Sequence, residues 1–399
     1  MTSAIKHRIA QLQQGIVPKG YKKGTIGIVP EEWRSISFST LFTSTNRYTD
    51  DLSRYPLYSL TIEDGITKKT DRYERSHLVK KENSYKVVQP NDYAYNPMNI
   101  RFGAVARHKG NMPVAVSGYY DIFNVIHESD RAFMDCFLTC DSMITYYNKV
   151  STGSLIEKQR VHFSDFMEFS IELPPIEERK EIAKILAFQD RVIELKEKRL
   201  AEKQRQKKYL AKQMFSGMKC VVPLSELALI TMGQSPSSET YNTSFNGVPL
   251  IQGNADISNR KTFPRMYTTS PTKICSPGDI LISVRAPVGT VARSTISACI
   301  GRGICSIRPK RMSDYIYEYL LYYEDKWGRV SQGSTFESIS GDDIGKLSIP
   351  QHHESDQVAK MLTFAGKEID LLSQDIEQEK RKKKALMQLL LTGIVRVNV

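Results

Sequence analysis

The sequence predicts an α/β chain of the α+β kind. Two duplicated mixed α/β domains are separated by two long helices packed as an antiparallel coiled coil, with pseudo-twofold symmetry. Three observations point there. The chain matches itself at an offset of 176 residues, both copies of the match contain a long apolar-patterned stretch that stops at Gly, and the segments ahead of those stretches share a turn-and-strand signature.

The long stretches come first because they are the clearest. LPPIEERKEIAKILAF (Leu173 to Phe188) aligns with IPQHHESDQVAKMLTF (Ile349 to Phe364), and the match runs on to KKYLAKQMFSG (Lys207 to Gly217) and KKALMQLLLTG (Lys383 to Gly393). Pro174, Glu178, Ala183, Lys184, Leu186, Phe188, Ile193, Leu195, Arg205, Lys207, Lys208, Leu210 and Gly217 all recur 176 residues later, which is internal duplication. Each copy opens on a Pro able to start a helix and closes on a Gly suited to its C-cap, and only Pro175 and Gly366 interrupt. Each stretch is read as a helix of roughly 60 Å. The apolar positions are Ile182, Ile185, Val192, Leu195, Leu210 and Met214 in the first, and Val358, Met361, Ile369, Leu372, Ile376, Leu386 and Leu390 in the second. They approximate an a/d seam with a polar middle around Lys196 to Lys207, so the two helices are expected to pack on each other. Two unrelated surface helices are the alternative.

The domains follow from what precedes each helix. VVQPNDYAYNPMNIRFGAV (Val87 to Val105) and ICSPGDILISVRAPVGTV (Ile274 to Val291) both read as a Pro-x-Asp turn, a short strand, then an Arg and a Gly. Downstream, TGSLIEKQ (Thr152 to Gln159) answers QGSTFESI (Gln332 to Ile339). The boundaries read from these signals are a first domain at 23–172, a central helix at 173–218, a second domain at 219–348 and a C-terminal helix at 349–399. Residues 1–22 resemble the end of a helix repeat, because Gly15-Ile16-Val17 matches Gly393-Ile394-Val395.

Composition narrows the function classes. Lys and Arg number 56 against 44 Asp and Glu, a net charge of +12 that favours a polyanionic partner, nucleic acid or an anionic membrane surface. No run of about 18 apolar residues is present and the N-terminus lacks a signal-peptide core, so a cytoplasmic chain without membrane partners is expected. Cys136, Cys140, Cys220, Cys275, Cys299 and Cys305 form no CxxC pair, so zinc-finger spacing is absent and reduced, structural thiols are expected.

Together these elements resemble the DNA specificity subunit of type I restriction-modification systems. The most specific matches are PGDILISVRAPVG (Pro277 to Gly289), QGSTFESIS (Gln332 to Ser340) and the two helix openings, and the resemblance covers nearly the whole chain; the first-half versions of the motifs are more divergent. It implies two target-recognition domains, each reading one half of a split and asymmetric double-stranded DNA target. It also implies that the helices dock two N6-adenine methyltransferase subunits and that an ATP-hydrolysing restriction subunit can join. Methyl donor, magnesium and ATP would belong to those partners, with no catalytic residue, metal or cofactor in this chain. Two alternatives stay open: a specificity subunit for a fused methyltransferase-nuclease of another restriction type, and a coiled-coil adaptor that binds no DNA.

A search for catalytic chemistry agrees. Asn96-Pro97-Met98-Asn99 lacks the second Pro and the aromatic of an adenine methyltransferase motif. Gly341 to Leu347 is too short for a phosphate loop and has Leu347 where Ser or Thr must hold magnesium, so a turn and strand are expected. Asp190, Glu194 and Lys196 have nuclease-like types but fall inside a helix. For base reading, Arg, Asn and Gln are the best-suited side chains. Candidates are Asn96, Asn99, Arg101, Arg107 and Lys109 in the first domain, and Arg285, Arg293, Arg302 and Gln332 in the second. The basic runs at Lys203 to Lys208 and Lys380 to Lys384 read as solvated or phosphate-touching. Tyr315, Tyr319, Tyr322 and Tyr323 with Leu320 read as core.

Overall fold

The structure is a computed structural model that describes residues 3–68, 84–155, 158–218, 220–327 and 338–397. The chain divides into two compact units, one of residues 1–195 with 376–399 and one of residues 196–375. Each long helix therefore gives one half of its length to each unit.

In the first unit the Pro-x-Asp signature is a type II turn. Asp92 N–H donates to the Gln89 carbonyl at 3.0 Å, Pro90 takes the second position and Asn91 the third, with φ of 73°. The turn feeds the strand Tyr93–Tyr95, which lies between Val105–Arg107 and Asp121–Val125 in a four-stranded antiparallel sheet that ends at Phe42–Ser44. Tyr85–Val88 belongs to a separate three-stranded sheet between Val114–Ser117 and Tyr48–Thr49. Under the first sheet sits an aromatic core in which Phe166 contacts Phe38, Tyr95 and Phe123 at centroid distances of 5.1, 4.9 and 5.4 Å. Such ring pairs add about 0.5–1.5 kcal/mol each beyond their area.

The second unit repeats the turn with the better residue. Asp279 N–H donates to the Ser276 carbonyl at 3.1 Å across Pro277 and Gly278, and Gly278 has φ of 90°. Ile280–Ser283, the strand that follows, is fully buried between Val291–Arg293 and Ile304–Pro309 in a six-stranded sheet. A five-stranded sheet contains the parallel pair Val248–Ile251 and Ala298–Ile300. The expected Gly further on is there in both units: Gly103 and Gly289 have φ of 94° and 92°. A Cβ on Gly289 would lie 2.6 Å from the Trp327 ring, so this position needs Gly twice over.

Antiparallel strand pairs flank each domain, Arg34–Ser37 with Ser170–Leu173 and Val221–Pro223 with Ser348–Pro350. The central helix runs from Ile176 to Phe215 and the C-terminal helix from Ser355 to Leu391. Neither Pro174 nor Pro350 is a first helical residue as expected. Pro174 directly follows a strand, Pro350 ends one, and the helices start two and five residues later. At the other end Gly217 and Gly393 turn the chain at φ of 82° and 70°, and Gly15 does the same at 74° after the N-terminal helix Ser3–Gln13. That first helix sits beside the end of the last one: Tyr21 Oη donates to the Gly393 carbonyl at 2.7 Å and Arg8 to the Ile394 carbonyl.

Polar pairs tie the two helices in both units, and in the second unit the helices run antiparallel, because their partners there count in opposite directions. In the first unit Asp190 pairs with Lys383 at 2.5 Å and Gln189 donates to Glu379 at 2.7 Å. In the second, Lys196 pairs with Asp375 and Lys203 with Glu368, both at 2.8 Å. The nuclease-like Asp190 and Lys196 are thus spent on helix pairing.

The apolar seam is corrected in part. Ile182, Val358, Ile376 and Leu390 are buried, and Val192, Leu210, Met214, Ile369, Leu372 and Leu386 are half-buried. Ile185, Leu195 and Met361 face solvent, at 36%, 49% and 45% exposure. The buried face is instead completed by Ala183, Leu186 and Ile193, and by Ala359 and Leu362. An a/d template assumes that the other helix is the only apolar partner. Here Ile182, Ala183, Leu186, Leu390 and Leu391 join the aromatic core of the first domain, and Ala211, Phe215, Val358, Ala359 and Leu362 join that of the second. Burial toward a domain rotates the apolar face by one position, and the polar middle is left to ion pairs.

Phe215 shows what anchors a helix end. Its ring meets Tyr315, Tyr319 and Tyr322 at 5.5, 5.1 and 5.4 Å, which places the tyrosine cluster in the core. Burial pushes the Tyr315 and Tyr319 phenols up to about 12. The lysines of the repeated phrase are anchors too: Lys207 pairs with the buried Glu318 at 2.9 Å and Lys208 with Asp325 at 2.7 Å. Lys384 lies 3.6 Å from Asp141.

Candidate nucleic-acid interface

In the second unit a cleft of about 620 Å³ opens at the ends of three strands. Its walls include Ser235, Ser238, Tyr241, Gln252, Asn254, Arg285 and Arg302. Gln252 follows Val248–Ile251, Arg285 follows Ile280–Ser283, and Arg302 precedes Ile304–Pro309. The five-stranded sheet, which carries the first of these strands, and the six-stranded sheet, which carries the other two, therefore hold three loops at one place. Glycines take the slack out of them: a Cβ on Gly303 would lie 2.2 Å from the Gln252 carbonyl oxygen, and one on Gly233 2.2 Å from that of Gly301. Arg302 is carried between Gly301 and Gly303, and its backbone N–H donates to Ser235 Oγ at 3.2 Å. Arg285 forms a backbone bridge with Ser338, so the Pro-x-Asp segment and the QGSTFESI segment meet in this unit.

The two arginine side chains are exposed and make no hydrogen bond or ion pair among the described residues. Beside them stand Gln252 and Asn254. An unspent guanidinium fork matches the acceptors of guanine, and a carboxamide matches the acceptor-donor pair of adenine. The arrangement can therefore read base edges or hold phosphates.

The first unit has a smaller cleft of about 410 Å³ that includes Tyr58, Arg107, His108, Lys109, Asn111 and Asp135. Its arginine is occupied. Arg107 Nη2 and Nε donate to Asp135 at 2.6 and 2.9 Å, and Nη1 donates to Asn91 Oδ1 at 2.7 Å. The hydrogen bonds to Asp135 hold the guanidinium above its ordinary value. Tyr93 Oη also donates to Asp135, at 2.7 Å.

The remaining candidates sort by the same criterion. Asn96 is buried, and its Oδ1 accepts from the backbone N–H groups of Met98 and Asn99 at 3.1 and 3.3 Å, so it shapes a turn. Arg101 is buried, donates to Gln159 Oε1 at 2.8 Å and lies over the Phe102 ring. Arg293 pairs with Asp314 at 2.9 Å and lies over Tyr317. Asn99 and Lys109 are exposed, and Gln332 lies outside the described residues. Of the sequence candidates in the second unit, Arg285 and Arg302 line this cleft, beside Gln252, Asn254 and Ser235, which the sequence reading did not single out. Gln252-Gly253-Asn254 and Gly301-Arg302-Gly303 carry the signal, polar residues set among glycines.

Among the described residues no group of three or more His, Cys, Asp or Glu is placed to hold a metal ion. The six cysteines are free, and burial pushes Cys136 and Cys140 up to about 11 and Cys305 up to about 12, which keeps them protonated and inert. Where a turn and a short strand were expected, Gly341–Gly345 is a single helical turn capped by Ser340, whose Oγ accepts from Asp343 N–H at 3.2 Å, and the strand follows at Ser348–Pro350. No helix among the described residues is long and apolar enough to cross a membrane.

Comparison with known proteins bears on the whole chain. The model of the type I restriction modification DNA specificity domain matches it twice, at residues 68–203 and 216–379. Over 421 residues the chain is 29% identical to the "Putative type I restriction enzyme MjaX specificity subunit" of Methanocaldococcus jannaschii, covering 95% of this chain and 97% of the relative. The MjaVIII specificity subunit of the same organism is 25% identical over 273 residues, 58% of this chain and 63% of that one. Among solved structures, a chain from work on complex assembly and conformational transition of the type I R-M system superposes with a TM-score of 0.60 at 22% identity, covering 92% and 99%. The S subunit of a type I restriction-modification system from M. genitalium gives 0.54 at 16% identity, covering 92% and 97%. At these identities the two structures speak for the fold. With both domain copies matched and both units built around them, the chain belongs to the type I restriction-modification DNA specificity family, as a specificity subunit.

Proposed function

We propose that the chain recognises a bipartite, asymmetric double-stranded DNA target, each of its two domains reading one half. The observation that carries this reading is the cleft where the Arg285 and Arg302 side chains, unpaired among the described residues, stand beside Gln252 and Asn254 on a glycine-tightened frame. Asymmetry follows from the unequal clefts, since Arg107 in the first is bound by Asp135. The recognition domains are assigned to 23–172 and 219–348, with helices at 173–218 and 349–399 and a helix-repeat end at 1–22. The chain itself does no catalysis: it docks two N6-adenine methyltransferase subunits, and an ATP-dependent restriction subunit joins the complex. Cytoplasmic DNA is its ligand, bound with the strong salt dependence of phosphate contacts.

Mapping of methylated adenines across the genome, with and without the gene, tests the reading. A split motif should disappear on deletion in a methylation-active strain, and its persistence counts against the proposal. Exchange of residues 24–171 for another recognition domain should change one half of the motif only.

A further inference from the structure

The loop of the first unit that answers the second unit's arginine cleft is built differently. Strand registers fix the correspondence: Tyr93, first after its turn, pairs with Arg107 and Phe123, as Ile280 pairs with Arg293 and Ile307. Residues 96–104 therefore stand where 284–290 stand, at the same end of the sheet, and Gly118-Tyr119-Tyr120 stands where Gly301-Arg302-Gly303 stands. The second unit presents Arg285 and Arg302 at that end. In the first, Arg101 is instead turned inward onto Gln159.

What the first loop turns outward is Asn99 and Phe102. A 3-10 turn at Ile100–Phe102 buries Ile100 and Arg101, while Asn99 is exposed and Phe102 is 50% exposed. Side chains three apart in such a turn eclipse, so the two share one side of the loop, about 6 Å apart along it at about 2 Å per residue. That is close to two base steps of about 3.4 Å. The loop is held from several directions: Ile100 N–H donates to the Asn96 carbonyl at 2.9 Å, Ala104 N–H to the Asn99 carbonyl at 3.1 Å, and Asn148 Nδ2 to the Arg101 carbonyl at 2.7 Å. Gly103 closes it at a φ of 94°, with Ile144 3.4 Å from where a Cβ would be. The Arg101 guanidinium lies 4.7 Å from the Phe102 ring centroid. The Asn99 carboxamide makes no hydrogen bond among the described residues. A loop fixed at this many points that still keeps an apolar ring and an unbonded amide in water is preorganised for a ligand.

We infer that Asn99 and Phe102 are the base-reading side chains of the first domain and that its half of the target contains A·T pairs. The Asn99 carboxamide accepts from adenine N6 and donates to N7, and Phe102 packs on the C5-methyl group of a thymine within two steps. The second domain, with Arg285 and Arg302 at the equivalent place, is suited to guanine instead. The inference rests on the proposed function in one respect, that double-stranded DNA is the ligand.

The test is a genome-wide map of methylated adenines in a strain carrying the full chain with its methyltransferase subunit, repeated for each variant, together with thermal unfolding of each purified chain. The wild-type motif should hold an A·T pair, besides the methylated one, in the half that exchange of residues 24–171 alters. Asn99→Ala should relax the preference for one adenine of that half by roughly tenfold, leaving the other half and the unfolding temperature unchanged. Phe102→Ala should relax a thymine position in the same half, Phe102→Leu should keep it, and Arg302→Ala should act on the other half only. A first half without such an A·T pair, relaxation at a G·C pair, or a uniform loss of methylation with base preferences intact would each overturn the inference, the last by making both residues structural. A gene-dependent split motif unchanged by both Ala variants defeats the inference alone, whereas a map in which no motif depends on the gene defeats the proposed function and the inference with it.

Discussion

Gln89-Pro90-Asn91-Asp92 in the first unit and Ser276-Pro277-Gly278-Asp279 in the second fold into the same turn, yet their surroundings differ in charge. Asp92 accepts from Gln89 N–H and Asn124, and burial raises its carboxyl above the usual range. Asp279 is opposed by burial as well, but the Arg308 guanidinium at 2.8 Å, Ser276 N–H and Ser306 more than offset it and hold the carboxyl low. Downstream, Arg101 is locked to Gln159 while Arg285 is presented in a cleft. Both copies keep the backbone of this turn, and divergence around it decided which polar groups are satisfied within the fold. Only the unsatisfied ones remain to meet a ligand.

The sharpest way to break this comparison is to unlock a locked arginine. Arg107→Ala strands the half-buried Asp135 and should cost about 2–3 kcal/mol of stability in urea unfolding. Arg107→Lys should recover little of it, because a lysine cannot donate bidentately. Next comes the presented arginine. Arg302→Ala should leave the unfolding midpoint alone and weaken binding by about 1–3 kcal/mol, with discrimination lost at one half-site in competition assays. A large loss of stability without loss of discrimination would make Arg302 a structural residue.

The two aspartates give a smaller, pH-dependent contrast. Asp279 has a lowered value, so its stabilisation is present above about pH 4 and is lost as pH falls through its folded value. Asp279→Asn should therefore cost about 1–2 kcal/mol at neutral pH and little in acid. Asp92 has a raised value, so its contribution is full in acid and declines as pH rises through its folded value. Asp92→Asn should be neutral or stabilising at pH 7, which thermal melts from pH 2 to 7 will decide. Smallest of all is Lys208→Ala, whose exposed pair with Asp325 is worth at most about 0.5 kcal/mol, whereas Lys207→Ala leaves buried Glu318 alone and should exceed it clearly.

Much of this was legible in sequence. The Pro-x-Asp turns were, because only a residue tolerant of positive φ fits the third place and Asn91 and Gly278 supply it. The helix ends were, because Gly217 and Gly393 take a left-handed conformation that other residues resist. The site was legible only by residue type. Arg101, Arg107, Arg285, Arg293 and Arg302 look alike as letters, and the carboxylate that locks one of them, Asp135, lies 28 residues away.

The sequence by itself determined the duplication, the two long helices and the turns that start key strands, since each rests on local periodicity or on a backbone angle that one residue type favours. Tertiary structure alone decided which face of each helix is buried and which arginines are available. Both depend on what stands opposite, and a side chain's partner across a fold is a matter of position in space, which spacing along the chain does not encode.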